Sequence, residues 1–156
     1  MKYQELINIL EAYNIPFEKW GRKKAKNIED LVKELNEGES ELIVENDRLK
    51  RIVRICKISV KYIDRNGNEY TLVEKKQVFK DGRIRNRKYG EGVSEKMKKD
   101  EDPFNTVVRA LQEELSIDAS GLKIKKLTEK PITEEEPSES YPGLITKYEI
   151  NKFEVL

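Results

Sequence analysis

Residues 50–79, "KRIVRICKISVKYIDRNGNEYTLVEKKQVF", limit the fold more than any other stretch of this 156-residue chain. Ile52, Cys56 and Ile58 fall on alternate positions, interrupted only by Arg54. That is the two-residue period of a strand with one buried face. Asn66-Gly67 follows, and this dipeptide favours a tight hairpin turn because both residues tolerate positive φ. "YTLVEKKQVF" then returns as the second strand. A lone hairpin is barely stable in water, so further strands or helices must cover its apolar face. The chain is therefore expected to fold around a sheet.

The flanks supply the cover. Residues 3–13, "YQELINILEAY", set Leu6, Ile7, Ile9 and Leu10 at helical spacing. Asn14-Ile15-Pro16 ends that helix, since a residue before proline avoids the helical region. A basic loop with the only tryptophan, Trp20, comes next. "NIEDLVKELNEG" predicts a second helix, capped by Asn27 and closed by Gly38. "ELIVEN" predicts a strand, and "VSEKM" a short one ahead of a third helix. "GLKIKKLTEKPI" predicts a strand, "TEEEPSESYPG" an acidic loop and "LITKYEINKFEVL" a last strand. This order is that of an α+β domain with a mixed β-sheet, not of a doubly wound parallel sheet. Residues 1–38 are expected to form a two-helix N-terminal extension packed on the core, and 39–156 the main domain.

Composition narrows the chemistry. The chain has no histidine, which excludes Ser-His-Asp hydrolysis, His-ligated zinc and histidine acid–base catalysis. The single cysteine, Cys56, sits in an apolar strand with no base to activate it, the setting of an inert buried thiol. Catalysis is left to carboxylates, Lys, Arg, Tyr or a bound metal. Formal net charge is +1, with 39% charged residues, so global charge names no partner. No apolar run is long enough to span a bilayer, and "MKYQELINILEAYNI" lacks the features of a signal or transit peptide. A cytoplasmic location without a membrane partner is the expectation.

The third helix lies in "EDPFNTVVRALQEELSI", residues 101–117. Asp102 can cap it and Pro103 suits its first position. Phe104, Val107, Val108, Leu111 and Leu115 form an apolar stripe expected to face the core. Thr106, Arg109, Ala110, Glu113 and Glu114 are expected on the opposite side. A solvated face with an ordinary Arg109–Glu113 pair explains this spacing. A second explanation is a site for a hard cation, because Mg²⁺ prefers carboxylate oxygens and bridges to substrate phosphates.

Residues 95–117 resemble the Nudix box, G-x5-E-x7-R-E-U-x-E-E-x-G-U with U a bulky aliphatic. The match holds at Glu101, Arg109, Leu111, Glu113, Glu114 and Ile117. It fails at three positions, where Glu95 replaces the first glycine, Ala110 the second Glu and Ser116 the late glycine. The resemblance implies an α/β/α sandwich and metal-assisted cleavage of a pyrophosphate bond in a nucleotide or nucleoside diphosphate derivative. It implies Mg²⁺ or Mn²⁺ on Glu113 and Glu114, Arg109 orienting these acids and Glu101 completing the cluster. Ala110 leaves the site one acid short. Glu95 is the expected replacement, with Glu134, Glu135, Glu136 and Glu139 as further candidates. The alternative is a module of this type that binds a nucleotide or a protein without turning it over.

Other residues are candidate substrate contacts. Arg83, Arg85 and Arg87 in "KDGRIRNRKYGEG" could anchor phosphate through guanidinium forks, or could simply protect a solvated edge strand. Tyr141 fits a turn and could also stack on a base or sugar. Lys23, Lys24 and Lys26 near Trp20 add a basic cluster, but no recognised nucleic-acid motif accompanies it. The expected partner is a small nucleotide-like molecule, not nucleic acid. The resemblance also allows a homodimer.

Overall fold

The computed structural model describes residues 1–78, 82 and 84–156, with the backbone alone at 74–78 and 84–91. In chain order the elements are α1 (Tyr3–Ala12), a 3₁₀ turn (Phe17–Lys19), α2 (Ile28–Asn36), β1 (Glu41–Glu45), β2 (Arg48–Ile63), β3 (Glu69–Thr71), β4 (Val73–Val78), β5 (Ile84–Glu91), β6 (Val93–Lys96), α3 (Pro103–Leu115), β7 (Ile124–Lys126), β8 (Ile132–Pro137) and β9 (Ile145–Val155). The class is α+β. Seven strands share a sheet ordered β1-β2-β9-β7, with β3 and β6 also on β2 and β8 also on β9; β4 and β5 form a separate two-stranded sheet. The chain divides into two compact units, and β2 and β9 contribute residues to both.

The first unit comprises Met1–Arg54, Lys96–Glu101 and Ile132–Ile150. α1 and α2 therefore share a unit with β1, β8 and parts of β2 and β9. In α1, Leu6 and Leu10 are fully buried, one turn apart. The helix stops ahead of Pro16, with Asn14 in the left-handed region at φ 56°. The Asn27 side chain of α2 accepts the Asp30 N–H at 2.9 Å, and Asp30 returns the bond to the Asn27 N–H at 3.0 Å. That reciprocal pair satisfies two donors that a helix start leaves open. Gly38 closes α2 at φ 73°, and a Cβ there would collide with Lys99. These helices pack Leu6, Leu10, Ile28 and Leu31 with Trp20, Leu49, Tyr141 and Leu144 into one core.

β1 and β2 are joined by Asn46 and Asp47, with Glu45 opposite Arg48. Both turn residues have positive φ, 52° and 60°, the two-residue hairpin that matches strand twist. The segment expected to be an acidic loop is in part a strand. β8 pairs antiparallel with β9 from Ile132↔Ile150 to Pro137↔Ile145. Three consecutive glutamates hid the strand, because its side chains are exposed along its whole length. Backbone pairing with an apolar neighbour needs no alternation when neither face is buried.

The second unit comprises Ile55–Glu95, Asp102–Pro131 and Asn151–Leu156. The expected hairpin is present but short. β3 pairs with β2 over three residues, Lys61↔Thr71, Tyr62↔Tyr70 and Ile63↔Glu69. Its turn is closed by Asp64, which accepts N–H groups from Asn66 and Asn68, both at 2.9 Å. The returning strand then changes partner, since β4 pairs with β5 and not with β2. Gly92 ends that ribbon at φ 71°, where a Cβ would collide with the Ile58 carbonyl oxygen. β7 closes on β9 from Ile124↔Val155 to Lys126↔Phe153. No helix among the described residues is long and apolar enough to cross a membrane.

Candidate functional site

α3 starts and stops by local chemistry. The Asp102 side chain accepts the Asn105 N–H at 2.9 Å, and Pro103 occupies the first turn, where no N–H is missed. Ser116 takes the left-handed conformation at φ 53°, ψ 35° and donates its N–H to Gln112. The box glycine position therefore has the backbone for which glycine is best suited, although serine occupies it.

The buried face of α3 differs from the expected stripe. Thr106, Val107, Ala110 and Leu111 are buried, whereas Phe104 is 51% exposed. The stripe is rotated by a fraction of a turn, so Thr106 and Ala110 face inward. The Thr106 hydroxyl meets the Asp102 carbonyl at 3.1 Å, which satisfies it without leaving the helix. Cys56 is buried as expected, with its thiol 3.6 Å from the Pro103 carbonyl oxygen.

Rotation leaves Arg109, Glu113 and Glu114 on the accessible side. Arg109 Nη1 lies 3.2 Å from Glu113 Oε2 and 3.4 Å from Glu95 Oε1. Glu95 arrives from β6. Burial raises its carboxyl above the usual carboxylate range, and the charges of Glu114 and Glu113 add to the rise; the Arg109 guanidinium opposes it. Glu95 and Glu113 thus share a single guanidinium. Glu101 lies in the other unit, where its carboxylate accepts the Lys98 N–H at 3.2 Å and closes a turn.

The remaining candidates are dispersed. Arg83 lies outside the described residues. Arg85 is on β5 opposite Gln77 and Arg87 is two positions further on, both with side chains outside the described set. Tyr141 is not a substrate platform: it is fully buried, 5.1 Å from the Trp20 ring, and its hydroxyl donates to Glu34 at 3.0 Å. Trp20 is buried too, donating its indole N–H to the Pro142 carbonyl at 2.8 Å. Glu134, Glu135, Glu136 and Glu139 belong to the first unit, and Glu135 is held by Lys50 at 2.7 Å.

The first unit holds a polar cluster that the sequence reading missed. Glu34 of α2 is almost fully buried and receives Arg51 at 2.7 and 3.0 Å, Ser40 at 3.1 Å, Lys26 at 3.1 Å and Tyr141 at 3.0 Å. Burial alone would push its carboxyl up, but the Arg51 charge and hydrogen bonds, with Lys96 and Lys26, hold it down at about 2. Arg51 also sits over the Tyr141 ring, 5.2 Å from its centre. One signal was present in the sequence. Glu34 is three residues after Leu31 and six after Ile28, on the buried side of α2, where an acid requires partners.

Among the described residues, no group of three or more His, Cys, Asp or Glu side chains is arranged to hold a metal ion. Glu113 and Glu114 are both exposed and offer the hard oxygens that Mg²⁺ or Mn²⁺ takes. As a donor type they fit such an ion, with water or substrate phosphate supplying the other ligands. Comparison with protein-family models, curated proteins and solved structures gives no significant match.

Proposed function

We propose that this chain is a Nudix-like α/β/α domain that hydrolyses a pyrophosphate bond in a nucleotide or nucleoside diphosphate derivative. The observation that carries the reading is the position of Glu95, which shares Arg109 with Glu113. An acid replaces the first box glycine, and it stands beside the box arginine of a helix that lacks one acid at Ala110.

Glu113 and Glu114 would hold Mg²⁺ or Mn²⁺, which when bound supplies a Lewis acid for the pyrophosphate oxygens and an acidified water. Arg109 fixes Glu113 and Glu95 relative to each other by its two ion pairs. The half-buried setting that raises the Glu95 carboxyl strengthens it as a base, so Glu95 takes the proton of the attacking water. Arg85 and Arg87 anchor the substrate phosphates, with Arg83 a further candidate. A cytoplasmic location and a homodimer belong to the same proposal.

A second reading has its own observation. Ala110 is fully buried, so the helix does not present its missing acid position to a substrate. A domain that binds a nucleotide or a protein without turnover fits that packing.

A panel of nucleoside triphosphates, dinucleotides and nucleoside diphosphate derivatives with Mg²⁺ or Mn²⁺ separates the readings. The hydrolase predicts turnover that falls about 100-fold or more in Glu95→Gln, the scale of a lost general base, and also falls in Glu114→Gln. The Glu95 variant should stay folded, because folding does not favour the ionised form of that residue. Turnover unchanged in both variants rejects the site. No turnover, with a nucleotide-dependent rise in Tm, selects the binding module.

A further inference from the structure

The turn between β2 and β3 holds the one asparagine of the chain that a glycine follows, Asn66-Gly67. Two main-chain bonds close this turn. The Gly67 N–H donates to the Asp64 carbonyl at 3.1 Å, and the Asp64 N–H donates to the Asn68 carbonyl at 3.0 Å. Gly67 lies in the left-handed region at φ 81°, which glycine adopts at no steric cost. The Asp64 carboxylate ties the same loop. It accepts the Asn66 and Asn68 N–H groups, both at 2.9 Å, the Asn68 side-chain amide at 3.1 Å and the Tyr70 hydroxyl at 3.2 Å. The Asn68 N–H is the chief cause that holds its carboxyl below the usual carboxylate range.

The two asparagines of the loop differ in what surrounds them. The Asn68 amide is held by Asp64, and Glu69 follows it. The Asn66 side chain is exposed and meets no partner among the described residues. The nitrogen after it belongs to glycine, with no side chain to shield it. No atom of another segment comes within 4 Å of the place a Gly67 Cβ would take. Asn66 Cγ is linked to that nitrogen through Cβ, Cα and the main-chain carbonyl carbon, so a bond between them closes an unstrained five-membered ring.

We propose that Asn66 is a self-modification site, deamidated by the Gly67 nitrogen, with Asp64 as the brake, and that the isoaspartate product releases β3 from β2. Hydroxide takes the Gly67 N–H proton, and the nitrogen bonds to Asn66 Cγ. The Cγ–Nδ2 bond breaks, and ammonia leaves with a proton from water, which restores the hydroxide. Water then opens the cyclic imide. Cleavage at Cγ gives aspartate. Cleavage at the main-chain carbonyl carbon gives isoaspartate, with the main chain running through Cβ. Asparagine and water become an acid and ammonia, and no oxidant or cofactor is needed. The imide nitrogen carries no hydrogen, so the ring cannot form while Gly67 donates to Asp64. Opening the turn is therefore the controlling step. The hairpin behind it is three residue pairs long, Lys61↔Thr71 to Ile63↔Glu69, and elements this short open locally at low cost. Isoaspartate lengthens the main chain between the two N–H groups that Asp64 holds, which separates them. The inference is independent of pyrophosphate hydrolysis and shares no residue with that site.

Peptide mapping of the intact protein by mass spectrometry, after storage at mildly alkaline pH, tests it. Asn66 is expected to convert ahead of every other asparagine, to a mixture of aspartate and isoaspartate. Asp64→Ala should speed the conversion about fivefold, the scale of one lost hydrogen bond, and unfolding the wild type in urea should speed it at least as much. The variant should keep the wild-type circular dichroism spectrum, because Asp64 ties only residues 66, 68 and 70. In the isoaspartate form the amides of residues 69–71 should exchange hydrogen faster than in the unmodified chain. Three results overturn the proposal: an Asn66 amide that stays intact or converts no faster than the other asparagines, a rate that Asp64→Ala leaves unchanged, or hydrogen exchange at 69–71 that isoaspartate does not alter.

Discussion

At the scale of single residues, α3 shows how one buried position can decide what a motif means. Ala110 is packed on the inner face with Val107 and Leu111. A glutamate introduced there enters the interior without a described partner. Ala110→Glu is expected to lose about 3 kcal/mol of stability, the cost of a buried unpaired acid, and not to gain hydrolysis. Urea unfolding beside a turnover assay checks both halves, and an active variant of unchanged stability would refute the packing. Ser116 makes the opposite case. It holds a left-handed conformation that costs an L-residue roughly 1 kcal/mol and glycine nothing. Ser116→Gly should therefore raise stability by about 0.5–1 kcal/mol in the same urea experiment. The box spacing made both positions legible as departures. It could not tell which way Ala110 faces, because Phe104 at the exposed helix start reads as part of the stripe.

At the scale of elements, α2 is bound into the first unit by a carboxylate as well as by leucines. Glu34 anchors α2 to β2 through Arg51, to the chain after α2 through Ser40 and to the turn before β9 through Tyr141. Removing one member leaves a buried charge without its partner. Glu34→Ala should cost about 3–5 kcal/mol, and Glu34→Ala with Arg51→Met should recover most of that loss, because the pair is then replaced by apolar atoms. The pH dependence follows from the carboxyl held at about 2 against an ordinary 4.5. A lowered acid stabilises the fold above its unfolded value and loses that effect as pH falls towards the folded one. On the order of 3 kcal/mol should disappear between about pH 5 and pH 2, and the Glu34→Ala variant should show a flatter curve over that window. A wild-type curve as flat as the variant's would remove Glu34 from this role. The caps of α2 and α3 were legible from Asn27 and Asp102, since capping is a local hydrogen bond. The Glu34 cluster was not, because its main partners come from other elements, Arg51 from β2, 17 residues on, and Tyr141 from the turn before β9, 107 residues on.

At the scale of the whole molecule, the N-terminal helices supply much of the core of the first unit. Leu6, Leu10, Trp20, Ile28 and Leu31 all precede residue 38. Deleting 1–38 removes them together with Glu34, the carboxylate that Arg51 pairs with. The truncated chain is expected to aggregate or to lose the cooperative unfolding transition of its first unit; a monodisperse, cooperatively folded product by size exclusion and thermal circular dichroism would contradict this. Sequence by itself determined the three helices and their ends, the strands β1, β2, β7 and β9, and the first half of the central hairpin. Each depends on interactions between residues a few positions apart: periodicity, capping and turn conformation. Only the tertiary structure decided which strand β4 joins, that the acidic segment pairs with β9, that Tyr141 is buried against Trp20, and that Glu95 meets Arg109. Those outcomes depend on which distant segments compete for the same backbone partners and the same buried volume. The box pattern brought Glu95 and Arg109 into one motif, but their separation of 3.4 Å comes from β6 and α3 packing within one unit.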